Sequence, residues 1–283
     1  MHPASGRCHS NTVGKMSVRT YSPSVRVGNW NEDLCLEEEQ LKDFLEKQEK
    51  GELLIQKTHN LLKTILRKIE LSNPSDGYLH VGDAVCLLHV PSKSVVAAYM
   101  SAGRAHEATK LTSPCSVACS RKLHPCPRNV FIVGRYDKPD AAAGEIVCYG
   151  QQITFTTLPD EGGQLNLQSD RATFMKHSHY TREQEITLED EVTYNSAWNI
   201  LCFKQEDRLE TEGTPVPVNS RVFINHCKTN QDLAVHTDFC PRTPYGREYE
   251  LTACTKYDIH KAEDPINHFM IVTGDLEKLA AAF

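Results

Sequence analysis

Four soft ligands fall within twelve residues in the stretch CSVACSRKLHPC: Cys115, Cys119, His124 and Cys126. Thiolates and an imidazole are the side chains that hold zinc in a tetrahedral site. A zinc-dependent enzyme built on this cluster is therefore one hypothesis. The spacing matches no standard zinc knuckle, however, and Cys119 can belong to a strand; Cys86, Cys148 and Cys202 sit inside apolar strand patterns, where a thiol serves as a small hydrophobe. Free thiols are the favoured reading, and no metal or cofactor is expected. His226, His236 and His268 read as surface or turn histidines rather than ligands. Asp137 and Asp140, like Asp160 and Glu161, lie in turns with nothing to set them up as an acid and base pair. No G-x-S-x-G elbow occurs, and no G-x-G-x-x-G follows a strand. GRCHSNTVGKMS spaces its glycines too widely for a phosphate loop and places Met16 where the metal-binding hydroxyl belongs. No catalytic residue is assigned, and the chain is not expected to be an enzyme.

The elements around these residues repeat. GDAVCLLHVPSKSVVAAYMS, GQQITFTTLPDEGGQLNLQSD and NSRVFINHCKTNQDLAVHTD each alternate apolar and polar residues, break at a polar turn and resume. Val85, Ile153 and Val222 in the first strands follow at intervals of 68 and 69 residues. The second strands carry Val95 or Val96, then Leu165 and Leu167, then Leu233 and Val235. A later strand recurs as NVFIV, AWNIL and HFMIV, aligning Ile132, Ile200 and Ile271, with Trp198 as a core residue. Between them stand EVTYN at Glu191 and ELTAC at Glu250, with SVACS at Ser116 a poorer match. A lone hairpin neither buries its apolar face nor hides its edges. Three of them close a barrel under a triangular cap. The expected class is mainly β with N-terminal helices: a pseudo-threefold, β-trefoil-like core preceded by an extended arm and one or two helices. Residues 102–115 and 170–185 read as inserted loops. Unrelated hairpins in a sandwich are the alternative.

The expected domains are an arm over 1–31, helix over 32–71, the β domain over 78–274 in units of about 78–135, 145–203 and 215–274, and a tail over 275–283. The arm carries Arg7, Lys15, Arg19 and Arg26 and no acid before Glu32. Leu34, Leu41, Phe44 and Leu45, then, after an interruption at Gly51, Leu54, Leu61, Leu62, Ile65, Leu66 and Ile69, recur at helical spacing. SNPSDG stops the helical pattern. The 283 residues are 40% hydrophobic and 24% charged, as in an ordinary globular protein. Eleven scattered cysteines suggest a reducing, intracellular compartment. A net charge of −6 argues against general nucleic-acid binding. No apolar run is long enough to span a membrane.

SPSVRVGNWNEDLCLEEEQLKDFLEKQEKGELLIQK, DGYLHVGDAV, GTPVPVNSRVFINHCKTNQDLAVH and NHFMIVTG closely resemble the cilia- and flagella-associated protein 161 family, over nearly the whole chain after Met16. The β units are also similar to MIR-type trefoils, found in mannosyltransferases and calcium-release channels. The family resemblance implies a structural microtubule inner protein without catalysis. It would sit in the cytoplasm's cytoskeleton, in the lumen of axonemal doublet microtubules of motile cilia, bound to tubulin and neighbouring inner proteins. Arg26, Gly28, Asn29 and Trp30 are the expected partner contacts, Trp30 being an aromatic anchor in a polar arm. The competing class is a MIR-like module that binds a glycan or phosphoinositide. The leading reading expects no nucleic-acid, membrane or small-molecule partner.

Overall fold

Gly51 marks the first break in the chain. The computed structural model describes residues 30–105, 108–139 and 142–282, in two units, Met1–Leu53 and Leu54–Phe283. In the first, α1 (Trp30–Glu49) begins two residues earlier than the spacing predicts. It ends where Gly51 turns to φ 72° and the Glu52 amide returns to the Lys47 carbonyl, a left-handed cap that glycine adopts without strain. Asp43–Lys47 and Glu46–Lys50 pair one turn apart, each adding a few tenths of a kcal/mol.

In the second unit, α2 (Leu54–Ile65) buries Leu61 and Ile65. The helix expected as far as residue 71 stops there. The Ile69 amide donates to Pro125 and the Ser72 amide to Ala84. These long-range bonds hold the following segment extended, against the helical preference of Leu66 and its neighbours.

Among the described residues, twelve strands form the main sheet: β1 (Ala84–His89), β2 (Ser94–Tyr99), β3 (Cys115–Ser120), β4 (Phe131–Arg135), β5 (Ile153–Thr157), β6 (Asn166–Ser169), β7 (Gln184–Glu189), β8 (Trp198–Cys202), β9 (Arg221–His226), β10 (Gln231–His236), β11 (Tyr249–Ala253) and β12 (Phe269–Val272); Arg242–Thr243 and Gly246–Arg247 pair separately. Short helices α3 (Ala102–Ala105), α4 (Arg208–Thr211) and α5 (Leu276–Ala282) lie among and after them. All the strand pairings below are antiparallel. β1, β4, β5, β8, β9 and β12 pair in that order, and β12 returns to β1, closing a ring. The remaining strands form hairpins β2–β3, β6–β7 and β10–β11. Those hairpins are joined pairwise through β3, β7 and β11.

The repeat is visible in single hydrogen bonds. Leu79 donates to Val216, Val216 to Val147, and Val147 to Leu79, at 2.9, 2.9 and 2.8 Å. This closed triangle of buried residues is spaced at the same 68 and 69 as the sequence repeat. Three residues further on, Gly82, Gly150 and Asn219 all take positive φ and donate to Val133, Ile200 and Ile271.

Two sequence alignments need correction. Val85 pairs with Phe131, Ile153 with Trp198 and Val222 with Phe269. Val133, not Ile132, is therefore the counterpart of Ile200 and Ile271. A one-residue slip moves a strand side chain to the opposite face, and Ile132 is half-buried while Phe131 and Val133 are in the core. In the cap, Ser116 pairs with Thr187, Glu185 with Thr252 and Glu250 with Ala118. The counterpart of Ser116 and Glu250 is thus Glu185. Glu191, expected in that role, lies in the turn before a 3-10 helix (Tyr194–Ser196).

One apolar cluster fills the ring and cap and includes Phe131, Phe155, Trp198, Phe269 and Ile271. Trp198 satisfies its indole N–H on the Leu167 carbonyl at 2.8 Å. A second cluster joins Leu71, Cys86, Leu88 and Met270 to Leu276 and Ala280 of α5, so the expected tail is a docked helix. No described helix is long and apolar enough to cross a membrane.

Candidate partner-facing site

The cysteine cluster is dispersed by its strand. Cys115 and Cys119 both point from β3 into the main core. The positions equivalent to Cys119, set by pairing with Val96, Leu167 and Leu233, are held by Leu188 and Ala253. Cys119 is therefore packed as a hydrophobe. His124 is exposed and Cys126 buried. Among the described residues, no three His, Cys, Asp or Glu side chains are grouped to hold a metal. Burial pushes the Cys115 thiol up to about 12 and raises those of Cys119 and Cys126, away from the thiolate that metal binding needs.

The histidines are structural, and two of them, His226 and His236, are buried rather than at the surface as expected. His226 has no exposed surface. Its Nε2 faces the Asn195 carbonyl at 2.9 Å and its Nδ1 the Thr229 hydroxyl at 2.8 Å. His89, its counterpart in the first unit, faces the Pro265 carbonyl at 3.1 Å and the Ser92 hydroxyl at 2.7 Å. A carbonyl only accepts, so each ring donates from Nε2 and is clamped between that carbonyl and the hydroxyl on Nδ1. The rings lie against equivalent aromatics, His226 on Trp198 and His89 on Phe269. Burial lowers the pKa of both, that of His89 to about 4. His236 bonds Thr252, and His268 the Glu263 carbonyl; the three histidines of the third unit do not converge.

The turn carboxylates are likewise engaged or apart. Arg135 holds Asp137 and lowers its pKa, and Arg67 reaches Glu161 at 2.8 Å. Asp160 is exposed, and Asp140 lies outside the described residues. The polar group that the sequence hid is Arg128 and Glu248. They meet at 2.7 Å with side chains 3 and 2% exposed. Arg128 also donates to the Ala98 carbonyl and stacks 3.8 Å from the Tyr245 ring centre, while Thr243 donates to Glu248. Nothing in a single sequence pairs residues so far apart.

On the outer face of the cap is a recess of about 250 Å3, walled by Tyr99, Ser116, Tyr180, Glu185, Arg242 and Glu250. Both oxygens of Glu250 accept backbone N–H groups, from Tyr180 and Thr181. Burial raises the pKa of Glu185. Glu250 thus holds the loop that carries Tyr180, and Glu185 lines the same recess.

The exposed apolar side chains are the remaining feature. Of the expected contacts, Arg26, Gly28 and Asn29 lie outside the described residues, and Trp30 is the first residue of α1. Along α1, Leu34, Leu41 and Leu45 follow one helical stripe and are 57, 59 and 46% exposed. Exposed apolar rows of this kind mark interaction surfaces.

Together these features define a repeat-built β body and, in the other unit, a helix with an exposed apolar stripe. The profile of the cilia- and flagella-associated protein 161-like domain matches residues 57–274. Cilia- and flagella-associated protein 161 of Danio rerio is 40% identical over 270 residues, covering 91% of this chain and 89% of its own. The proteins of that name from Mus musculus and Bos taurus are 39 and 37% identical over 277 and 271 residues, 92% of this chain in each case and 90 and 84% of theirs. The chain belongs to this family. Two solved structures share the fold: an SDF2-like protein from Arabidopsis thaliana (TM-score 0.52, 16% identity, 70% of this chain and 96% of that one), and a Caenorhabditis elegans protein of unknown function (TM-score 0.50, 12% identity, 71 and 99%).

Proposed function

We propose that the protein is a structural microtubule inner protein of axonemal doublets. On this reading it binds tubulin in the lumen and neighbouring inner proteins, and braces the wall of motile cilia without catalysis. The observation that carries the reading is the 40% identity, over nine-tenths of both chains, to a relative named for cilia and flagella. The six-strand ring under three joined hairpins is then a β-trefoil of MIR type, serving as a rigid body that fits against neighbours. The exposed stripe of α1 supports this, because an ordered helix with an uncovered apolar row is suited to a protein surface. Arg26, Gly28, Asn29 and Trp30 would extend that contact. Repetition along a filament would turn weak contacts into avidity.

The test is a chain lacking residues 1–31, expressed in ciliated cells that lack the native protein. It should fold, with an unchanged melting temperature of the β body, and fail to enter axonemes. Normal incorporation would remove the arm from the account.

The cap recess favours a second reading, a module for a glycan or phosphoinositide. Tyr99 and Tyr180 offer rings and Glu185 an acceptor there. A glycan and phosphoinositide array that binds the wild type and loses binding with Glu185→Gln would favour it. An array showing no binding would dispose of it.

A further inference from the structure

In each unit a loop joins the second strand to the third: residues 100–114, 170–183 and 237–248. These loops stand at equivalent places on the cap, yet they are built differently. The first turns inward, with Leu111 buried and its amide on the Glu161 carbonyl, and Arg104 donates to Pro114. The third folds over Arg128, burying Thr243 and Glu248. The second sends its two largest apolar side chains outward: Phe174 and Met175 are 93 and 89% exposed.

The second loop is nevertheless fixed. Thr173 and Lys176 bond across the tip, amide to carbonyl at 2.8 Å and amide to hydroxyl at 3.1 Å, so Phe174 and Met175 are the two residues held at the turn. At the base, Glu250 takes the Tyr180 and Thr181 amides, and Ser178 bonds Thr181 and Glu183. A pre-ordered tip loses little entropy when it is buried by a partner. Arg171, Lys176 and Arg182 stand exposed around it. Of the nearby carboxylates, Asp170 is held by Lys228 and the Arg171 amide, Glu250 is held as above, and Glu183 and Glu185 lie at the foot of the loop. The tip is thus apolar with a basic collar, on a chain whose net charge is −6.

We propose that the 170–183 loop is a plug, whose Phe174–Met175 tip enters an apolar socket with an acidic rim on the microtubule wall. The proposal rests on the reading above and adds the contact. Two adjacent apolar anchors beside charged residues are an arrangement in which a few side chains dominate binding. The collar steers the plug to carboxylates and sets its salt dependence.

The test uses the full chain, doublet microtubules purified from cilia lacking this protein, and the variant Phe174→Ser with Met175→Ser. Both side chains are exposed, so the variant should melt with the wild type. It should bind doublets at least about 30-fold more weakly. Lys176→Glu with Arg182→Glu should weaken binding and flatten its salt dependence. Wild-type binding that the serine variant matches would overturn the plug and leave the functional reading standing. Wild type that does not bind doublets would overturn both. Two controls separate other occupants: if the serine variant loses only binding to anionic phosphatidylserine vesicles, or only self-association in sedimentation, the tip faces a lipid or a second copy and the proposal fails.

Discussion

Arg128 and Glu248, two charges, are almost fully buried, whereas Leu34 and Leu41, two apolar side chains, are more than half exposed. Each pair reverses the usual placement of its residue type, and the two reversals have different physical meanings. Inside the body the reversal is answered: Arg128 has Glu248, a carbonyl and a ring beside it, and Glu248 has the Thr243 hydroxyl as well. On α1 it is unanswered within the described residues. A feature that is satisfied internally serves the fold, and one left unsatisfied is where the proposed partner contact is to be sought.

The largest effect should come from breaking the internal reversal. Glu248→Ala leaves Arg128 buried without its carboxylate and should destabilise the body by about 3–5 kcal/mol, read by denaturant unfolding. Arg128→Met with Glu248→Leu removes both charges and should recover most of that loss.

The next effect depends on pH. His89 and His226 have pKa values lowered by burial, His89 from 6.5 to about 4. The unfolded chain therefore takes up protons first. The stability the neutral rings contribute is complete above about pH 6.5 and declines as pH falls toward 4, by about 3 kcal/mol for His89. His89→Asn should lower stability at pH 7.5 and make the remaining acid dependence shallower. An unchanged slope in thermal melts between pH 7 and 4.5 would remove His89 from the clamp.

The smallest effect on stability belongs to α1, and there the comparison is sharpest. Leu41→Ser with Leu45→Ser should shift unfolding by no more than about 0.5 kcal/mol. Binding to doublet microtubules should nevertheless weaken by about tenfold or more. Equal binding would mean that the exposed stripe has no partner on the doublet.

The β repeat was legible because the pairing of Val85, Ile153 and Val222 with their ring partners needs an apolar residue at each equivalent position. Registers were less so. NVFIV offers apolar residues at four consecutive places, and only the pairing of Val85 with Phe131 decides that Val133 faces inward. The base triangle of Leu79, Val147 and Val216 keeps the same 68 and 69 spacing and was available to a reader who extended the repeat upstream. The histidine clamps carried a signal as well, since His89 and His226 stand two repeats apart, with Ser92 and Thr229 three residues on. Arg128–Glu248 carried none, because it is made by the closure of the cap. The projecting tip at Phe174 was visible only as a loop; its exposure follows from the turn that Thr173 closes.

The most direct measurement of the central claim is the position of a tagged full-length chain in detergent-extracted axonemes, imaged by cryo-electron microscopy before and after a high-salt wash. The account predicts density for the β body on the luminal face of doublet microtubules, retained through the wash. Release by salt together with density confined to the outer surface, or no density on doublets at all, would contradict it.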